Sequence, residues 1–192
     1  MSQKNSSSDA LWRLPNMPTI GCAAESHCET IIFLPEFTDS NGINKKRAEI
    51  ITRQSPPAEW ETVYRLNGNL NASGREWEEQ VMSSSMWRYL QELHAKEPQV
   101  MKKVHVFELN GRSARIDDYY GKFKLTLLRV NFDDWRQIEH YELPDYEWLR
   151  GAVKVEENLY GDRRLAECGL PKLPQEWVRA IMTAEKVPAI AG

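Results

Sequence analysis

Val104-His-Val-Phe-Glu-Leu109, the pair Asn110-Gly111, then Ala114-Arg-Ile-Asp-Asp-Tyr-Tyr120, Gly121 and Phe123-Lys-Leu-Thr-Leu-Leu-Arg-Val-Asn-Phe132 make three β-rich runs with two breaks between them. Asn-Gly between β-forming runs is the strongest short hairpin signal in a sequence, because both residues accept the positive φ of a type I′ turn. Tyr120-Gly121-Lys122 supplies the second turn. The stretch therefore predicts an antiparallel meander.

Downstream, Asp133-Asp134 caps a short helix holding Trp135, Ile138 and Tyr141, and a loop with Pro144 and Trp148 follows. Leu173-Pro174 opens a final amphipathic helix with Trp177, Val178, Ile181 and Met182 inward. Upstream, Ser83, Ser84 or Ser85 caps a helix carrying Met86, Tyr89, Leu90 and Leu93, which Pro98 ends. Before it lie strands over Glu29–Leu34, Lys46–Arg53, Trp60–Leu66 and Arg75–Val81, with Asn67–Gly74 read as a loop. Residues 1 to about 20 are rich in Ser and Pro and read as a mobile leader. Residues 21–192 then form a single domain ending in a helix. About seven strands and three helices predict an α+β fold, an antiparallel β-barrel enclosing a tunnel or a strongly curled sheet, with helices packed outside. Both faces of the strands carry polar residues, which predicts a solvated lumen.

At 192 residues with 41% apolar and 28% charged content, the chain is long enough for a real core. The net charge of −3 provides no basic field for nucleic acid, and no apolar run approaches the roughly 18 residues of a membrane helix. The expected location is cytoplasmic, since no apolar leader core marks export. Three cysteines make no disulfide framework, and Cys22, His27 and Cys28 match no strong zinc spacing, which leaves free thiols as the simpler account. The four histidines have no acid or thiol at a catalytic spacing; His105 reads as a strand histidine that titrates near neutrality if it lines the tunnel. Asp133, Asp134, Glu156 and Glu157 read as solvated caps and turns.

The order of elements resembles the CYTH superfamily, the triphosphate tunnel metalloenzymes. The resemblance is carried by Ile116-Asp-Asp-Tyr-Tyr-Gly121, by Leu127-Leu-Arg-Val-Asn-Phe132, by Pro144-Asp-Tyr-Glu-Trp-Leu-Arg-Gly-Ala-Val153 and by Tyr160-Gly-Asp-Arg-Arg-Leu-Ala166. The last of these is similar to the family's Tyr-x-Asn-x-x-Leu-Ala. Leu66-Asn-Gly68 stands where the family has Ile-Lys-Gly, and Glu76-Trp-Glu78 is similar to its Glu-Trp-Glu strand. The resemblance implies a tunnel that binds triphosphate compounds with Mg²⁺ or Mn²⁺ and hydrolyses or cyclises them.

The family's metal carboxylates are nevertheless replaced. Its first strand carries Glu-x-Glu-x-Lys, which, matched to Glu29–Leu34, falls on Cys28, Thr30 and Ile32. Its late Glu-Val-Glu is here Arg129-Val-Asn131, and the Lys of Ile-Lys-Gly is Asn67. Hard divalent cations need oxygen ligands, so Glu76, Glu78 and Asp117 are the candidate metal ligands if the protein is active. The candidate ligand-binding residues are basic: Arg65, Arg75, Lys103, Arg115, Lys124 and Arg129, with Lys102 and Lys122 beside them. By alternation Arg115 shares a face with Asp117, and Arg129 with Asn131. Arg129 would hold phosphate in place of a metal or pair internally with Asp117 or Glu78. The expected function is a degenerate tunnel protein that binds a phosphorylated small molecule or a protein partner, without cofactor. The alternatives are a divergent metal-dependent triphosphatase or nucleotidyl cyclase, and an interaction scaffold.

Overall fold

Alternating apolar residues along several runs need a sheet to bury them, and in a computed structural model the chain builds one. The structure describes residues 8–19, 25–38, 45–55, 59–71 and 74–171. The strands are β1 (Ser8–Leu14), β2 (Glu25–Phe33), β3 (Phe37–Thr38), β4 (Lys45–Ser55), β5 (Glu59–Asn71), β6 (Gly74–Val81), β7 (Gln99–Leu109), β8 (Arg112–Tyr120), β9 (Leu125–Phe132) and β10 (Val153–Val155). The helices are α1 (Ser84–Leu93), α2 (Arg136–Glu139), α3 (Glu157–Tyr160) and α4 (Asp162–Cys168), with a 3-10 turn over Glu147–Leu149. The strand order is β10-β1-β9-β8-β7-β2-β4-β5-β6, and β3 pairs with β4 alone. Every pairing is antiparallel.

This is the expected α+β architecture in its strongly curled, open form. The described strands do not close into a barrel, because β10 and β6 end the pairing path and do not pair with each other. The predicted meander is β7-β8-β9. Asn110 has φ 48° and Gly111 φ 75°, both in the left-handed range a type I′ hairpin requires. Ser83 caps α1 by accepting from the Met86 amide.

Each face of the sheet has its own core. On one, Ala10, Trp12, Ile116, Leu128, Val130 and Phe132 pack against Ile138, Tyr141 and Leu149 around α2 and the 3-10 turn. On the other, Leu11, Ile31, Phe33, Ile51, Val100, Tyr119 and Leu127 meet Tyr160, Leu165 and Ala166 of α3 and α4. We call these the α2 face and the α4 face. Strand β9 lies between them and is buried along nearly its whole length, which accounts for its almost unbroken apolar sequence. Arg163 fastens α4 by donating to the Leu34 carbonyl at 3.3 Å.

Several expectations are corrected. The leader does not extend to residue 20: Ser8–Leu14 is a strand between β9 and β10, with Ala10, Leu11, Trp12 and Leu14 buried. Its short alternation, set among Ser and Pro, gave little local signal. Strand β5 runs on to Asn71 through the expected loop, with a register irregularity between Asn67 and Leu70 that accommodates the Asn- and Gly-rich sequence. Strand β10 and helices α3 and α4 were not foreseen as elements. Part of the α4 face is packed by α3 and α4, where a solvated lumen had been expected. The predicted helix after Pro174 lies outside the described residues.

Leu11 tests the place of β1. If Ser8–Leu14 is a core strand, Leu11→Ala costs roughly 2–5 kcal/mol, read as a lowered urea midpoint with unchanged m-value. A change below about 0.5 kcal/mol, as for an unpacked leader, would contradict the placement.

Candidate functional site

Alternation along the central strands sends charged residues from each to the α4 face. The register aligns Arg53 with Glu29, Glu29 with Lys102, and Lys102 with Tyr119. Further along the same face, Val104 aligns with Asp117, and Arg115 with Arg129. The result is a cluster of opposite charges held in the middle of a sheet.

Asp117 is its centre and is wholly buried. Its Oδ2 accepts from Arg129 Nε at 2.8 Å and lies 3.7 Å from Lys102 Nζ. Its Oδ1 lies 3.3 Å from Arg115 Nε, without hydrogen-bond geometry. Lys102, also buried, donates to Asp162 Oδ2 at 2.8 Å and stands 3.6 Å from Glu29 Oε2. Asp162, the first residue of α4, also accepts from the Tyr119 hydroxyl. Arg53 donates to Glu29 Oε1 at 2.9 Å, and His27 Nε2 lies 3.3 Å from the same oxygen. At the other end Arg129 Nη1 donates to Glu157 Oε1 of α3 at 3.3 Å.

Taking a charge out of water costs several kcal/mol even after relaxation, so a buried ion persists only with good partners. The titration shifts follow that logic. Burial alone would raise the Asp162 carboxyl, but the charge and hydrogen bond of Lys102, with the Tyr119 hydroxyl and Arg129, bring it down to about 2. Burial would lower Lys102, yet Asp162, Asp117 and Glu29 together raise it. Arg129 is raised against its own burial by Asp117 above all. Glu29 is lowered, since Lys102 and Arg53 outweigh its desolvation. Tyr119 is pushed well up by burial and by the carboxylates of Asp162 and Asp117.

A cavity of about 200 Å³ opens beside the cluster, lined by Asp9, Val106, Ser113, Ala114, Arg115, Arg129 and Asn131. Asn131 Nδ2 donates to Asp9 Oδ1 at 2.9 Å. Of the basic residues expected to bind ligand, Arg115 and Arg129 meet at this cavity. Lys124 lines a separate cavity of about 340 Å³ with Arg13 at the strand ends. Lys103 is exposed and sits on the α2 face, aligned with Cys28 and Asp118; its neighbour Lys102 takes the buried position. Apolar Val100 and Val104 flank Lys102 in phase, and that pattern was the available signal. Arg65 aligns with Glu49, in the phase of the α4 face, whereas Glu78 aligns with Leu66, in the opposite phase. The side chains of Arg65, Arg75, Glu76 and Glu78 lie outside the described residues. His105 is buried on the α2 face, where burial and Lys103 lower its titration.

A strand, β1, precedes the one expected to come first. In the phase of Arg129 and Asn131, β1 offers Asp9, Leu11 and Arg13. Glu29, Asp162 and Glu157 were missed: Glu29 by choosing the other phase of β2, and the α3–α4 pair because local sequence does not tell a solvated acid from one that folds back.

Mg²⁺ or Mn²⁺ does not fit the described donors. Asp117 already faces three cations, and no group of three or more His, Cys, Asp or Glu residues that would hold a metal occurs among the described residues.

No family model matches the sequence, and no curated protein matches it. The fold does have solved relatives. The crystal structure of the inorganic triphosphatase NE1496 superposes with a TM-score of 0.58 at 18% identity, covering 83% of this chain and 93% of that one. A further crystal structure, of the hypothetical protein NE1496, superposes with a TM-score of 0.58 at 17% identity, covering 88% and 99%. The likeness is one of fold, and it is the CYTH-type fold that the sequence resemblance implies.

Asp162 gives a pH test. A carboxyl held at about 2, below its ordinary 3.8, stabilises the fold above pH 4 and loses that contribution as pH falls toward 2. Between pH 5 and pH 2 the wild type should lose about 2 kcal/mol more than Asp162→Asn, measured by urea unfolding at each pH. Equal losses would show that Asp162 is not held ionised.

Proposed function

We propose that the protein binds a phosphorylated small molecule, a nucleotide or polyphosphate, through Arg115, Arg129 and Asn131, without the metal site of the fold's triphosphatases. The observation that supports this best is the direct cross-strand alignment of Arg115 with Arg129 at the wall of a cavity. Like charges placed opposite each other are destabilising unless something lies between them. Asp117 and Glu157 neutralise much of that charge, and an anion in the cavity would compete with them for Arg115 and Arg129. The structural neighbour NE1496 is an inorganic triphosphatase, and that supports a polyphosphate as the ligand class. Lys124 and Arg13 line a different cavity, at the other end of these strands, and take no part in this proposal.

Binding without turnover follows from charge. A metal neutralises the developing charge of phosphoryl transfer and orients the attacking group. Arg129 supplies one positive charge and donors, which suits holding a phosphate, but it cannot be deprotonated and so offers no base. The protein is accordingly proposed to be catalytically impaired.

The test is calorimetric titration with tripolyphosphate, ATP and thiamine triphosphate in EDTA. At least one should bind, and Arg115→Gln should weaken it about ten-fold or more, the worth of a charged hydrogen bond, with little change in melting temperature. Metal-dependent phosphate release that Glu78→Gln abolishes would instead establish a divergent triphosphatase or cyclase. A protein-contact scaffold is a second reading, favoured by the exposed Met86, Tyr89 and Leu93 along α1. Absence of binding by all three compounds would move the weight to it.

A further inference from the structure

Arg129 has two carboxylate partners of unlike kind. Asp117 belongs to the central strand β8, is wholly buried and accepts from Nε at 2.8 Å. Glu157 belongs to the single turn α3, its side chain is 62% exposed, and it accepts from Nη1 at the longer distance of 3.3 Å. The first contact is fixed by the sheet. The second joins a buried cation to a side chain that solvent already reaches, and exposed contacts of that kind contribute little.

Arg129 is also a wall of the cavity that holds Arg115, Ser113, Asn131 and Asp9. Asp117 takes Nε and Glu157, which is not itself part of the cavity wall, takes Nη1, so an anion there that uses Nη1 would compete with Glu157. Releasing it requires no movement of the backbone. Tyr160 at the end of α3 is buried, Arg163 of α4 is bonded to the Leu34 carbonyl, and the Glu157 side chain is largely exposed.

We infer that Glu157 is a displaceable counter-anion of the site: it occupies Arg129 in the ligand-free protein and gives way to an anionic group of the ligand. The inference rests on the anion-binding reading of the same cavity. Glu157 thereby sets a threshold for what binds. A tethered carboxylate competes at an effective concentration of roughly millimolar, so a dissolved carboxylate of the same chemistry gains nothing by replacing it. A phosphate group, with more charge and more acceptor oxygens, pairs better with a guanidinium and passes the threshold.

The experiment compares wild type, Glu157→Gln and Glu156→Gln for tripolyphosphate binding in EDTA at fixed ionic strength. Glu156 is the exposed residue next in sequence, so its variant removes the same charge without vacating Arg129. The expected result is a gain of about two- to five-fold for Glu157→Gln, the worth of an exposed ion pair, and a smaller gain for Glu156→Gln. Binding by Glu157→Gln alone would also support the inference. Binding by the wild type with no gain in Glu157→Gln, or with an equal gain in Glu156→Gln, overturns the displacement and leaves the anion site standing. Failure of all three proteins to bind overturns both.

Discussion

Asp117 is one carboxylate with cations on every side of it. Lys102, Arg115 and Arg129 reach it from β7, β8 and β9, the strands that form the meander. Without it Arg129 would lose its shortest carboxylate contact and Lys102 one of three, and removing one partner of a buried pair typically costs about 3–5 kcal/mol. Its influence passes outward through Lys102, which holds Glu29 on β2 and Asp162 on α4. One buried charge thus ties the sheet to the helix that covers it.

That arrangement also limits the chemistry. A carboxylate surrounded by guanidinium and ammonium groups is a poor metal ligand, because its lone pairs and its charge are already committed. The same cations, where they reach the cavity, are suited to an anion. Arg115, Arg129 and Asn131 line the space beside β8 and β9.

The meander was legible because its signals are local: Asn110-Gly111 fixes a turn by its φ angles, and alternation fixes the faces of Arg115, Asp117 and Arg129. The open, curled form of the sheet was one of the two outcomes its mixed strands allowed. What was not legible depends on distant partners. Ser8–Leu14 resembles any short apolar stretch until β9 is there to pair with it. Lys102 and Lys103 are chemically equal in sequence, and only the pairing with Glu29 and Tyr119 separates the buried one from the exposed one. Asp162 sits in a motif matched by spacing, and its bonds to Lys102 and Tyr119 cross 60 and 43 residues. Alternation gives a phase and cannot say which phase faces the charges.

The pairing of β1 with β9 has a consequence for synthesis. Leu11 lies opposite Arg129, 118 residues later in the chain (129 − 11). At roughly 5–20 residues per second, β1 waits on the order of ten seconds after leaving the ribosome before its partner emerges. During that time Leu11, Trp12 and Leu14 have no sheet to enter. Strand β1 is made well before the partner it pairs with, and nascent chains are most exposed to chaperones and to one another while it waits.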